Sequence, residues 1–382
     1  MNILFLDWGA FGKEPCIKAL ETLGHTVERF LHDDYTERKS DAFAEAFDRA
    51  VERAKADVMF SFNFYPLVAE GCKRNNLPYI AFVYDNPLVN IFSYTVTYPT
   101  NHVYLFDSAL CNYMQNGGIP TVHYSPLATE VYDLPTTGAG KGTGQVAFVG
   151  ALYNEDHNFY DRLEGISPYT HGYLEGVIAA QSLVYGYSFV EEMLTKDILD
   201  EMQRVVPYKN SFDGAQTLEY VYGNYFINRE ITRRERQKLL AKAGEAAPVD
   251  LFTLDPNVRI PGVTNHGAVD YYTQMPYVFA QSKINLNITL RSITSGIPLR
   301  AMDIMGAGGF LLTNFQEDYL RHFTPGEEFV YFESAEDMQD KIHYYLDHEK
   351  ERAEIAQNAK KAIASKHTYL IRMQELLTDL KK

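Results

Sequence analysis

The sequence predicts an α/β protein of two units facing across a cleft, the second carrying a helical elaboration. Three observations lead there. The chain has 382 residues, and at roughly 150 residues per domain that suits two large domains. Short apolar runs alternate with helical stretches along the first third, the pattern of parallel strands joined by right-handed crossovers. A glycine-rich stretch, TTGAGKGTGQ at 136–145, then interrupts the pattern, which restarts directly after it.

Ile3 to Leu6 is a continuous apolar run, as in a strand covered on both faces. A helix follows near Glu14 to Leu23, with Gly24 at its C-cap. Thr26 to Phe30 reads as a strand, Asp41 to Lys55 as an exposed helix. Further strands are expected at Asp57 to Phe62, Tyr79 to Val83, His102 to Phe106 and Thr121 to Tyr124, with a helix at Ala109 to Gln115. The first unit spans 1–132 and a linker 133–145. The second, 146–364, opens on the strand Gln145 to Val149. A mainly helical, tyrosine-rich region follows over 158–243, in which Thr232 and Glu235 have capping-box spacing. Strands are expected at Val249 to Leu254, Lys283 to Asn287 and Phe310 to Thr313. Helices are expected at Tyr271 to Gln281, Leu299 to Met305, Ala335 to Asp347, Glu349 to Ala364 and, last, His367 to Leu380.

Apolar residues make up 46% and charged residues 22%, an ordinary globular composition. The net charge of −15 argues against a broad nucleic-acid face. The first residues read as a strand rather than a signal peptide, and no apolar stretch is long enough to span a membrane. The expectation is a cytoplasmic protein; a homo-oligomer is compatible with it. Cys16, Cys72 and Cys111 form no CxxC pair and suit a reducing compartment. There is no HExxH, GxSxG or Walker motif and no Cys/His cluster, so no metal is expected; Lys141 lacks the Walker spacing.

Several loops have the residue types for chemistry. Asp7-Trp8-Gly9-Ala10-Phe11-Gly12 joins a strand to a helix and serves either a ligand or a tight turn. Asp85, in Tyr84-Asp85-Asn86-Pro87, is either an acceptor-side base or the start of an Asx turn. His123 is either catalytic or a satisfied, partly buried ring. The sharpest signal is Ser292 to Arg300. Pro298 suits a first helical turn and Ser295 or Gly296 a cap, with Arg291 and Arg300 on either side. A helix start with two guanidinium groups favours phosphate, whereas the plain alternative is a capped helix whose arginines meet surface acids. Asp303 lies one turn beyond Arg300 and suits either ribose hydroxyls or a dipole partner. Gly306, Gly308 and Gly309 permit close backbone approach; Asn265-His266-Gly267 would line the same pocket.

In order along the chain, Phe82 to Pro87, Gly118 to Ala128, Val146 to Gly150, Asn265-His266-Gly267, Ser282 to Asn287, Pro298 to Asp303, Gly306 to Thr313, Pro325 to Glu328, and His367-Thr368-Tyr369 with Arg372 resemble the CgeB-like, spore-maturation-type branch of the GT-B glycosyltransferases. The resemblance implies two Rossmann-like domains, the acceptor on the first and a nucleoside-diphosphate sugar on the second. It also implies a last helix (365–382) crossing back to the first domain. Glu is common in the family where this chain has Asp303. The reaction implied is metal-independent transfer of a sugar to an unidentified protein, glycan or small metabolite, with retention slightly favoured. In this reading Asp85, Asp7, His266 and Arg300 are the catalytic candidates. Gly267, Arg291, Ser295, Gly296, Arg300, Asp303, Gly308 and Gly309 are the donor-binding ones. An epimerase-like enzyme acting on free nucleotide sugar, or a non-catalytic carbohydrate-binding or cell-surface assembly protein, would use the same scaffold.

Overall fold

The structure, a computed structural model, describes residues 1–134, 142–154 and 158–380. Most of the expected linker, including Lys141, lies outside the described residues. The chain divides into two compact units, Met1–Thr129 with Lys209–Gln216 and Lys366–Lys382, and Glu130–Tyr208 with Thr217–Ser365. Each holds a six-stranded sheet whose recorded pairings are all parallel.

The first unit contains β1 (Asn2–Leu6), α1 (Lys13–Thr22), β2 (Thr26–Phe30), α2 (Asp41–Ala54), β3 (Val58–Phe62), α3 (Pro66–Arg74), β4 (Tyr79–Val83), β5 (Asn101–Leu105), α4 (Ser108–Asn116) and β6 (Val122–Tyr124). The strand order is β2-β1-β3-β4-β5-β6. The central strands β3 and β4 are buried at every residue, which is why they read as unbroken apolar runs. The helix α2 is not simply exposed: it buries Phe43, Phe47 and Ala50.

The second unit begins with β7 (Val146–Val149) and the helical elaboration. That region comprises α5 (Pro168–Gln181), α6 (Val190–Met193), α7 (Lys196–Val205), α8 (Leu218–Val221), a π-helical turn (Tyr222–Ile227) and α9 (Asn228–Ala246). It has its own core, including Leu174, Ile198, Tyr222 and Ile231. Thr232 and Glu235 cap nothing, because α9 continues straight from the π turn and both lie inside it. The unit continues with β8 (Val249–Phe252), β9 (Val263–Asn265), α10 (Met275–Gln281), β10 (Ile284–Asn287), α11 (Leu299–Gly306), β11 (Leu311–Asn314), α12 (Tyr319–His322), β12 (Val330–Phe332), α13 (Ala335–Asp347) and α14 (Glu349–Lys366). The order β12-β11-β10-β7-β8-β9 is the 3-2-1-4-5-6 arrangement of a dinucleotide-type sheet.

The last helix, α15 (Tyr369–Asp379), packs on α1 in the first unit. Thr129 N–H donates to the His367 carbonyl at 3.0 Å, and Cys16 Sγ lies 3.4 Å from Met373 Sδ. A Cβ on Gly12 would sit 1.9 Å from the Tyr369 hydroxyl, so the first glycine loop is shaped for α15.

Candidate functional site

Open α/β sheets bind ligands at the carboxyl ends of the strands where the strand order reverses. In the second unit that point lies between β7 and β10, beside the loops after Val149 and Asn287. One guanidinium ties these loops together. Arg236 Nε and Nη2 donate to the Ile288 carbonyl at 3.1 and 2.6 Å, and Nη1 donates to the Ala151 carbonyl. Its cation also lies 4.9 Å from the Tyr153 ring centroid and 5.4 Å from that of Phe148. Arg229, seven residues earlier and so on the same helix face, lies 5.3 Å from the Tyr225 ring and 6.0 Å from that of Tyr153. Tyr153 adopts a left-handed backbone (φ 56°), costly for a bulky residue and typical of sites that need one fixed loop shape. Sequence reasoning missed Arg229 and Arg236. Their helical spacing was readable, but the long elaboration separates them from β7 in sequence.

The helix α11 starts at Leu299, as expected, but its cap differs. Pro298 occupies its N-cap without a side-chain hydrogen bond, so neither Ser295 nor Gly296 caps it. Both are buried in the preceding loop, where Ser295 Oγ lies 3.3 Å from Asp318 Oδ2 and the Ser295 carbonyl accepts from Asp318 N–H at 3.0 Å. Arg300 lies 3.6 Å from Asp303 and abuts Met275 Sδ. Asp303 is buried and accepts from the Tyr271 hydroxyl at 3.2 Å, which joins α11 to the loop after β9. The structure therefore brings together Arg300, Asp303 and Tyr271, four residues beyond Gly267, whose own N–H donates to Asn265 Oδ1 at 2.9 Å.

Three donor-binding candidates and one catalytic candidate sit among contacts within the protein. Arg291 is a brace: it donates to both Glu235 oxygens at 2.8 and 2.7 Å and to the Val184 carbonyl at 2.6 Å, under the Tyr185 ring. Its side chain is 9% exposed and that of Glu235 5%, so the two charges compensate each other inside the protein. Gly308 and Gly309 lie at the amino end of β11, away from the carboxyl ends. Gly309 is there because a Cβ would meet Asn285 Nδ2 at 2.6 Å and the Phe279 carbonyl at 2.8 Å. The His266 ring turns back along the sheet. Its Nε2 is 2.8 Å from Asp250, whose register partner is Thr264, and it stacks on Phe252. The Asp250 carboxylate is buried and needs these donors; Thr143 and Gly144 N–H supply two more at 2.7 and 3.1 Å.

In the first unit, Asp7 is engaged by Lys13 and Arg29. Burial works to raise its pKa, but the hydrogen bonds and charges of these two cations prevail and hold the carboxyl below the ordinary range. A carboxylate so stabilised is a weaker base than a free one. Asp85 is exposed at the carboxyl end of β4. Asn63 orients it: Nδ2 donates to Asp85 Oδ2 at 2.7 Å, while Oδ1 accepts from Tyr84 and Asp85 N–H at 3.2 Å each. Beside them Trp8 stacks with Tyr84 and Tyr35.

Among the described residues no three His, Cys, Asp or Glu side chains are placed to hold a metal ion, and no helix is long and apolar enough to cross a membrane.

A family model described as glycosyl transferase-like matches residues 229–378. Among solved structures, the chain is similar to a sucrose-phosphate synthase from Thermosynechococcus elongatus, at 11% identity and a TM-score of 0.52, covering 99% of this chain and 98% of that one. It is likewise similar to a glycosyltransferase from Rickettsia africae, at 10% identity and a TM-score of 0.53, covering 99% and 97%. A third is Anabaena HepE in complex with UDP and glucose, at 11% identity and a TM-score of 0.52, covering 100% and 99%. A comparison with curated protein sequences gave no match. At this identity the likeness shows the fold, which is the GT-B architecture.

Proposed function

We propose that the chain is a glycosyltransferase of the CgeB-like branch, moving a sugar from a nucleoside-diphosphate sugar to an acceptor hydroxyl. The observation that carries this reading is the Arg236 tie across the switch point of the second unit. It places a fixed positive charge where a dinucleotide-type sheet receives phosphate. The family model, which starts at Arg229 and so includes α9, supports the same activity. UDP is the first nucleotide to try, since HepE is described in complex with it.

The chemistry follows from the charges. The bond from the anomeric carbon to the diphosphate breaks, and its electron pair leaves with the diphosphate. Arg236, Arg229, Arg300 and the N-terminal end of α11 meet that growing charge with dipoles and cations already in place. These groups give the reaction an electrostatic route that asks for no metal. Asp303, with Tyr271, would receive the ribose hydroxyls. Arg291, His266, Gly308 and Gly309 support the surrounding structure. The new bond forms from the acceptor oxygen. Its proton passes to the departing diphosphate if configuration is retained, which the resemblance favours, or to Asp85 if it is inverted.

Calorimetric binding of UDP and slow hydrolysis of UDP-sugars test the proposal. Arg300→Ala should lower turnover more than about tenfold, the loss of one charge-assisted contact in the transition state. No binding across UDP, GDP, ADP, CDP and dTDP sugars, or wild-type turnover in a folded Arg300→Ala protein, would overturn it.

A further inference from the structure

The first unit contains a cavity that the donor chemistry does not use. His102 and Tyr104 are two apart on β5 and so share a face, and Tyr104 pairs in register with His123 on β6. The rings form one wall: Tyr104 and His123 centroids are 5.4 Å apart, those of His102 and His123 6.3 Å apart and within 22° of parallel. With Asn101, Thr121 and Asp379 at the end of α15, they line a cavity of about 570 Å³. That is the size of a small-ligand site. Pro99 and Pro120, which precede β5 and β6, place it towards the amino ends of these strands. Asp85 is at the carboxyl end of the same sheet.

The lining specifies a chemistry. Tyr104 is 2% exposed and backs the wall from within, so the groups that reach the cavity are the half-buried rings of His102 and His123. Burial holds both imidazoles below the ordinary histidine range, with His123 adding to the effect on His102 and Asp379 opposing it at both. At neutral pH each ring then offers one N–H and one lone pair. Among the described residues no lysine or arginine lines the cavity, and the one charged side chain is the Asp379 carboxylate. An anion is therefore disfavoured. A metal ion is also disfavoured, since no trio among the described residues has ligating placement. Ring faces interleaved with both donors and acceptors suit a neutral ring carrying several hydroxyls.

We propose that this cavity binds a neutral saccharide unit, at a site separate from the donor pocket and from Asp85. The site would anchor part of a glycan away from the reacting end. The site is independent of the donor that the second unit takes.

The test is saturation-transfer NMR on the full chain with millimolar methyl glycosides of glucose, galactose, mannose and N-acetylglucosamine. At least one should receive saturation. His102→Ala and His123→Ala should each weaken it by about tenfold in affinity, as expected for a lost hydrogen bond. No transfer to any glycoside, or undiminished transfer in both variants with unchanged circular dichroism, would overturn the proposal. Should the variants misfold, imidazole ¹H–¹⁵N spectra of the wild type decide. Glycoside should shift the His102 and His123 resonances and inorganic phosphate should not; the reverse, or no shift, would overturn the proposal.

Discussion

Arg291 and Glu235 give the sharpest separation between a structural and a ligand-binding arginine. The pair is buried at both ends and joined by two hydrogen bonds, with a third from Arg291 to the Val184 carbonyl. The Tyr185 hydroxyl also donates to Glu235. Arg291→Met would leave the Glu235 carboxylate buried with its main partner gone. Breaking one side of a buried ion pair costs about 3–5 kcal/mol, whereas replacing both charges by apolar groups is often neutral. For a unit of this size each kcal/mol is worth roughly 2–4 °C, so the melting temperature of the second unit should fall by about 6–20 °C. Glu235→Leu should do the same, and the double variant should recover most of the loss. Scanning calorimetry reads all three, and titration with UDP below the transition should give an affinity close to wild type in Arg291→Met. A variant that melts like wild type but binds UDP more than about tenfold more weakly would refute the brace and return Arg291 to the phosphate.

Other consequences follow from the same contacts. Gly309→Ala forces a Cβ against Asn285 and the Phe279 carbonyl; denaturant unfolding should show a loss of about 1–3 kcal/mol with UDP affinity unchanged. Arg236→Lys keeps the charge but cannot span Ile288 and Ala151 with a fork; UDP affinity should fall by about tenfold or more, and an unchanged affinity would place the nucleotide elsewhere. Folding lowers the pKa of His102 and His123, so the unfolded chain binds more protons between the folded and unfolded values. Their contribution is present above the unfolded value near 6.5 and is lost as pH falls through the folded values. Thermal melts of wild type and of His102→Gln/His123→Gln from neutral to mildly acidic pH should therefore diverge, with the wild type losing more stability. Parallel curves would contradict this.

What could be read from the sequence was what local pattern determines. Strands such as Tyr79–Val83 are buried on both faces and announce themselves as apolar runs. The helices α2, α13 and α15 show polar caps at Ser40, Ser334 and Thr368. The strands β9 and β12 go unread; each is three residues long, at an edge of its sheet, and not buried throughout. The helix α3 goes unread because it is nine residues long and opens on a buried run, Pro66 to Ala69, whose apolar pattern does not tell helix from strand. The site was harder, because its charges are decided by partners distant in sequence. The spacing around Ser295 places a cation near a helix start, but cannot show Glu235 in front of Arg291 56 residues away. It cannot show Lys13 and Arg29 converging on Asp7, or Asp250 drawing the His266 ring back along β8. The GT-B fold was legible because many short matches recur in order, each resting on strand ends and turns that the architecture itself requires.

A nucleoside diphosphate is expected to bind at the switch point of the second unit. Hydrogen–deuterium exchange with and without UDP tests it most directly. Protection should concentrate in the loops 150–154 and 288–298 and at the start of α11, and should be lost in Arg236→Met. Protection confined to other segments, or exchange unchanged at saturating UDP, would contradict it.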